Sequence, residues 1–225
     1  MIFQAFKPKN ARFACERGIS MSFTLILASS SPYRKAQLGQ LLGEHFRCEA
    51  PDINESPLDG ESAEALATRL SREKARAVAN RPLSVNPQQS RLIIAGDQSA
   101  SCQGRLLQKP GSEELAKEQL AFCSQKEVTF YSGLCLFSPE KNWLHVDCTL
   151  TSVRFRKLNK AEIAAYVQRE YVLDCAGSFK CEGLGISLFE SITSTDPSAL
   201  IGLPLISLNR LLIEAGFNPL LENAT

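Results

Sequence analysis

Short apolar runs alternate along this chain with segments of helical period, and polar turn residues separate them. The first run, Leu25-Ile26-Leu27-Ala28, is followed by Ser29-Ser30-Ser31-Pro32 and then by a basic amphipathic segment to Leu42. The pattern predicts a buried strand feeding into a helix, with Ser31 as N-cap and Pro32 at the first helical position, where a missing N–H costs nothing. Phe46–Ala50 reads as a short strand. Helical periodicity resumes near Ser62 and runs to about Ala79, with Ala63, Leu66, Ala67, Leu70, Ala77 and Val78 on one stripe. Leu92–Ala95 is short, apolar and β-branched at its centre, a buried strand ending at Gly96-Asp97-Gln98. After a turn at Gln103-Gly104-Arg105, Ser112 caps a helix to about Ser124. Thr129–Phe137 and Trp143–Phe155 alternate and form an antiparallel hairpin. Asn159 with Glu162 is a capping box opening a helix to about Glu170. A loop from Asp174 to Gly183 precedes a predicted strand over Gly185–Phe189. A final helix carries Leu208, Leu211, Leu212 and Ala215 and is closed by Gly216.

At 225 residues with 44% hydrophobic content, this succession supports one α/β core or two small lobes around a cleft. The net charge of +1 argues against a polyanion binder, so a nucleic-acid polymer is not an expected partner and any related ligand is small. The eight cysteines are scattered through apolar segments without a C-x-x-C pair, and the two histidines, His45 and His145, lie far apart. Reduced cysteines used as small core residues in a cytoplasmic protein fit better than disulfides or zinc. No apolar run has membrane-spanning length. Residues 1–21 read as an N-terminal extension outside the fold, which leaves 22–225 as a single domain; Lys7, Lys9, Arg12 and Arg17 there also allow a transit peptide.

Candidate chemistry gathers at the ends of these elements. The start of the first helix offers backbone N–H groups, the hydroxyls of Ser29, Ser30 and Ser31, and the cation of Arg34, which is either an anion site or ordinary capping beside a solvated arginine. Lys74 sits four residues from both Leu70 and Val78, so it either snorkels to water or reaches into a cleft. Asp97, after glycine at the end of a buried strand, is either a turn aspartate or a carboxylate placed where open α/β folds put their sites. Neither a dinucleotide fingerprint nor a P-loop pattern is present.

In order, Leu27-Ala28-Ser29-x-Ser31-Pro32-x-Arg34, the Asp52-x-x-Glu55 loop, Glu73-Lys74-Ala75, Gly96-Asp97, Lys109-Pro110, Ala176-Gly177-x-x-x-x-Glu182-Gly183 and Gly202-Leu203-Pro204-Leu205 resemble the motifs of the Maf nucleotide pyrophosphatases. The resemblance spans Phe23 to about Gly216. It implies an elongated, mixed, twisted sheet with helices on both sides and two lobes around a deep cleft, as in inosine triphosphatases. It also implies hydrolysis of nucleoside triphosphates between the α and β phosphates with a divalent metal, Mg²⁺ or Mn²⁺. By the same resemblance Ser29, Ser31, Arg34, Lys74 and Lys109 hold the phosphate chain, Glu55 and Asp97 bind the metal, and Asp97 is the catalytic carboxylate. The family often forms homodimers, although no apolar stripe in this sequence marks an interface.

Three positions bear on the substrate. Members acting on dTTP and UTP commonly have arginine after the first proline, threonine after the catalytic aspartate and glutamine before the later glycine. This chain has Tyr33, Gln98 and Glu182 and so is similar to the branch that hydrolyses 7-methyl-GTP. An N7-methylated guanine is cationic, so an aromatic face gains about 0.5–2 kcal/mol from it. A carboxylate can accept from N1–H and the 2-amino group. Cys175, where pyrimidine-specific members frequently have lysine, agrees with that branch, whereas Gln108 stands where glycine is common before the lysine. Two alternatives remain: a dTTP/UTP pyrophosphatase of the same family, and a nucleotide-binding regulator of septum formation.

Overall fold

The computed structural model describes residues 23–82 and 90–222. The expected division between residues 1–21 and 22–225 therefore lies outside the described residues. Seven strands form one mixed sheet. Its long members are β3 (Ser90–Cys102), β5 (Glu127–Ser138) and β6 (Trp143–Phe155), joined antiparallel. Strand β1 (Phe23–Leu27) lies parallel to the first half of β3, and β2 (Arg47–Cys48) lies parallel to β1. The short β4 (Arg105–Leu107) returns antiparallel along the last residues of β3, through a turn in which Gln103 and Gly104 both have positive φ, as a two-residue hairpin requires. On the far side β7 (Phe189–Ser194) closes the order β2-β1-β3-β5-β6-β7.

Helices cover both faces because the strands are apolar on both. On one face Leu25, Leu27, Leu92, Ile94, Leu134 and Leu136 pack against Leu38 and Leu42 of α1 (Pro32–Leu42) and Leu208, Leu211 and Leu212 of α5 (Leu205–Glu214). The opposite face sets Ile26, Ile93, Ala95 and Cys135 against Ala75 and Val78 of α2 (Ala63–Ala79). Ala75, not Ala77, belongs to the buried stripe of α2. Beyond Ala100 the same three long strands carry a second core, in which Phe130, Val153 and Phe155 meet α3 (Glu113–Cys123) and α4 (Lys160–Arg169). A four-residue helix, α6 (Pro219–Glu222), follows. The caps form as expected: Ser31 Oγ accepts from Arg34 N, Ser112 Oγ from Leu115 N, and Asn159 with Glu162 completes its box. Cys102, Cys123 and Cys135 are buried thiols, and burial raises the pKa of each. Among the described residues no helix is long and apolar enough to cross a membrane.

Two departures from expectation bear on the site. Strand β3 does not stop before Gly96; it continues through Asp97 to Cys102, because β5 offers an unbroken ladder from Ile93 opposite Phe137 to Cys102 opposite Val128. Main-chain pairing outlasts the apolar pattern there, since Asp97, Gln98 and Ser99 are polar residues lining a cleft. The expected strand over Gly185–Phe189 is instead a 3-10 turn, Leu184–Leu188, with pairing to β6 beginning only at Phe189. Gly185 N–H bonds the Lys180 carbonyl at 3.1 Å, and the two lie so close that no side chain fits at position 185.

Candidate active site

The register of β3 creates the site. On the edge away from β5, β1 pairs as far as Ile94 and β4 begins only at Ala100. Among the described residues no strand pairs with 96–99 on that edge. The gap is the floor of a cleft of about 830 Å³, lined by Ser29–Arg34, Glu55, Lys74, Asp97–Ser99, Gln108, Lys109 and the loop from Asp174 to Glu182. Its size suits a nucleotide.

Alternation along β3 sends Asp97 to the face covered by α2. Its ladder partner is Gly133, where a Cβ would collide with the Ala67 carbonyl and lie 2.6 Å from Ser71 Oγ. The bare glycine lets α2 rest directly on the sheet, and Lys74, one turn beyond Ser71, is brought to Asp97. Lys74 therefore does not snorkel. It is 4% exposed, and its Nζ donates to Asp97 Oδ1 at 2.6 Å and reaches Glu55 Oε1 at 2.8 Å. Gly133→Ala is expected to lift α2, with a cost of about 1–3 kcal/mol in a denaturant melt and a fall in turnover larger than that cost alone explains.

Glu55, from the loop before α2, is half-exposed and also faces Lys109, whose Nζ lies 3.9 Å from Glu55 Oε2. Burial works against its charge, but the hydrogen bond and charge of Lys74, followed by Lys109 and Arg34, outweigh it and lower its pKa. Asp97 behaves oppositely: burial raises its pKa above the ordinary aspartate range even though Lys74 and Arg34 oppose the shift. One carboxylate is held ionised while its neighbour is inclined to take a proton. Two carboxylates that both touch one ammonium also lie within reach of a common cation, and acidic oxygens are the donors that magnesium and manganese accept.

Ser29, Ser31 and Arg34, the residues expected to hold phosphates, sit at the start of α1. Ser29 Oγ accepts from Ser31 N at 3.1 Å and Ser31 Oγ from Arg34 N at 3.4 Å, so each hydroxyl hydrogen is unused in these bonds. Arg34 is aimed by the far end of the chain: its Nε donates to the Gly202 carbonyl at 3.1 Å. Gly202 has φ +138° and the Arg34 side chain lies 3.4 Å from where a Cβ would project, so only glycine serves both needs. Buried Gln37 secures the same segment, accepting from Leu203 N and donating to the Ser198 carbonyl. Burial lowers the Arg34 pKa, while Asp97 and Glu55 raise it.

Of the three specificity candidates, Tyr33 and Glu182 line the cleft and are exposed to it. Gln98 also borders it, but its amide nitrogen is directed into the protein, within 3.0–3.1 Å of Ser132 Oγ and the Ala199 and Leu200 carbonyls. Gln98 thus holds the turn that leads to Gly202, and only its Oε1 is left to meet a ligand. Sequence reasoning missed Gly133, Gln37, Tyr171 and Lys180. A glycine inside the alternating segment Thr129–Phe137 was the available signal for the first; Lys180 lies two residues before Glu182 in the same loop.

The model of the family described as Maf-like protein matches residues 24–215. The chain belongs to the Maf family. This Maf protein is 52% identical over 199 residues to a protein of Saccharophagus degradans named 7-methyl-GTP pyrophosphatase, a match covering 88% of this chain and 98% of that one. Proteins of the same name from Xanthomonas oryzae pv. oryzae and Xanthomonas axonopodis pv. citri are each 48% identical, covering 86% of this chain and 97% of theirs. As a Maf protein it has the expected architecture, a mixed seven-stranded sheet flanked by helices.

Proposed function

We propose that this Maf protein is a metal-dependent 7-methyl-GTP pyrophosphatase, releasing 7-methyl-GMP and pyrophosphate. The observation that carries the reading is one buried lysine shared by two carboxylates of opposite pKa tendency, beside an arginine and serines at a helix start. The names of the half-identical relatives and the pair Tyr33 and Glu182 in the same cleft support the substrate.

The phosphate chain carries several negative charges that Arg34, Lys74 and Lys109 neutralise, while the Ser29 and Ser31 hydroxyls donate to its oxygens. Water attacks the α phosphorus in line with the bridging oxygen, the bond from the α phosphorus to that oxygen breaks, and pyrophosphate leaves. Asp97 accepts the proton of the attacking water. Mg²⁺ or Mn²⁺ held by Glu55 and Asp97 would supply further charge neutralisation at the phosphates. At the other end of the cleft Tyr33 presents an aromatic face to the cationic base, and the Glu182 carboxylate accepts from N1–H and the 2-amino group.

Pyrophosphate release measured on 7-methyl-GTP, GTP, dTTP and UTP tests the reading. The expected preference for 7-methyl-GTP over the pyrimidine nucleotides is about 100-fold, lost on chelation of divalent metal and reduced in Glu182→Gln. Faster turnover of dTTP or UTP overturns the substrate. Binding of 7-methyl-GTP with no metal-dependent release favours a regulator over an enzyme.

A further inference from the structure

Tyr171 is 64% exposed on the lip of the cleft, immediately after the end of α4. The contact recorded for its ring is with a cation: Lys180 Nζ lies over it, 5.4 Å from the centroid. The same ammonium lies over Tyr33, 5.7 Å from that centroid. Burial disfavours the Lys180 charge, but the nearby Tyr33 hydroxyl, Cys175 and Asp174 outweigh it and raise its pKa. One positive charge is thus held within cation–π range of two tyrosines that both border the cleft.

The arrangement is built. Lys180 N donates to the hydroxyl of buried Tyr166 at 3.1 Å, and Leu184 N donates to Glu170 Oε2 at 2.9 Å, so the Lys180 loop is tied twice to the helix from whose end Tyr171 projects. Glu182, the candidate base acceptor, lies between these two ties in sequence.

Resting on the substrate reading above, we propose that Tyr171 is a second base-recognition residue: Tyr33 and Tyr171 form an aromatic pair selective for a cationic ring, and the Lys180 ammonium is its resident occupant, displaced when the N7-methylated base enters. An uncharged guanine gains less from the two faces and replaces the ammonium less readily. Displacing Lys180 costs either base the same, so the preference for the cationic base comes from the two aromatic faces, one of which Tyr171 supplies.

Calorimetric affinities of 7-methyl-GMP and GMP for the full chain test this, because their ratio isolates the base from the phosphate. Tyr171→Leu is expected to lower the ratio about fivefold, inside the twofold-to-thirtyfold range of a cation–π contact. Tyr171→Phe should keep it within twofold. Lys180→Met, with no ammonium to displace, should tighten both ligands about threefold and keep the ratio within twofold; a general phosphate role for Lys180 would weaken both ligands. A wild-type ratio retained in Tyr171→Leu, or binding of both ligands not tightened in Lys180→Met, overturns the proposal. Wild-type pyrophosphate release separates this failure from that of the substrate: preference for 7-methyl-GTP with an unmoved ratio removes only the aromatic pair, whereas preference for UTP removes both. The exposure of Tyr171 makes misfolding of its variants an unsuitable explanation for either result.

Discussion

Asp97→Asn is expected to lower pyrophosphate release by about 10²–10⁴-fold while leaving the protein folded. The amide has nearly the same shape, and its oxygen can still accept the hydrogen bond from Lys74 that Asp97 Oδ1 accepts at 2.6 Å. What disappears is a buried negative charge whose desolvation raises its own pKa. Thermal stability should therefore be unchanged or slightly higher, and the loss of activity cannot be assigned to unfolding. Pyrophosphate assays beside melting curves make the comparison. Retention of more than about a tenth of the wild-type rate would count against a catalytic role for this carboxylate.

Lys74→Met should damage both properties. It removes the ammonium shared by Asp97 and Glu55 and leaves Asp97 buried without its nearest cation, a change of the kind that costs about 3 kcal/mol. The pH dependence has a definite sign. Burial already raises the folded pKa of Asp97, and losing Lys74 raises it further above the unfolded value. A group of this kind destabilises the fold when ionised, so the deficit relative to wild type is full at high pH and shrinks as falling pH protonates Asp97. Added Mg²⁺ should raise the melting temperature of the variant more than that of the wild type, because it supplies a cation to the same two carboxylates. Activity should fall by at least about 100-fold from lost transition-state neutralisation. A deficit that does not vary with pH would mean that Lys74 stabilises through its aliphatic stem alone.

These expectations depend on a site whose parts were unevenly legible in the sequence. The helix start at Ser31 and Pro32 was readable because capping is local chemistry, and the capping box at Asn159 and Glu162 was readable for the same reason. Lys74 was ambiguous, since periodicity places a residue on a stripe but does not say what lies opposite it. The answer came from Gly133, fifty-nine residues away in sequence, whose missing side chain fixes the height of α2 above the sheet. The end of β3 was misplaced because the apolar run ends at Ala95, while the ladder with β5 runs to Cys102. Polar residues in a continuing strand look like a turn until the partner strand is known. Gln98 illustrates the same difficulty at the level of one side chain: its position beside Asp97 suggested ligand contact, yet its amide nitrogen serves the Ala199–Ile201 turn and, through it, Gly202 and Arg34.

The uninterrupted run of β3 past its two short neighbours also sets how each part of the cleft is held. Main-chain bonds to β5 hold Asp97 along its whole flank, whereas Arg34 and Lys109 stand on segments that flank opposite ends of the strand. The carboxylate is consequently fixed to the middle of the sheet. On the proposed reading the reacting phosphorus is brought to this fixed carboxylate, and the walls meet the rest of the nucleotide.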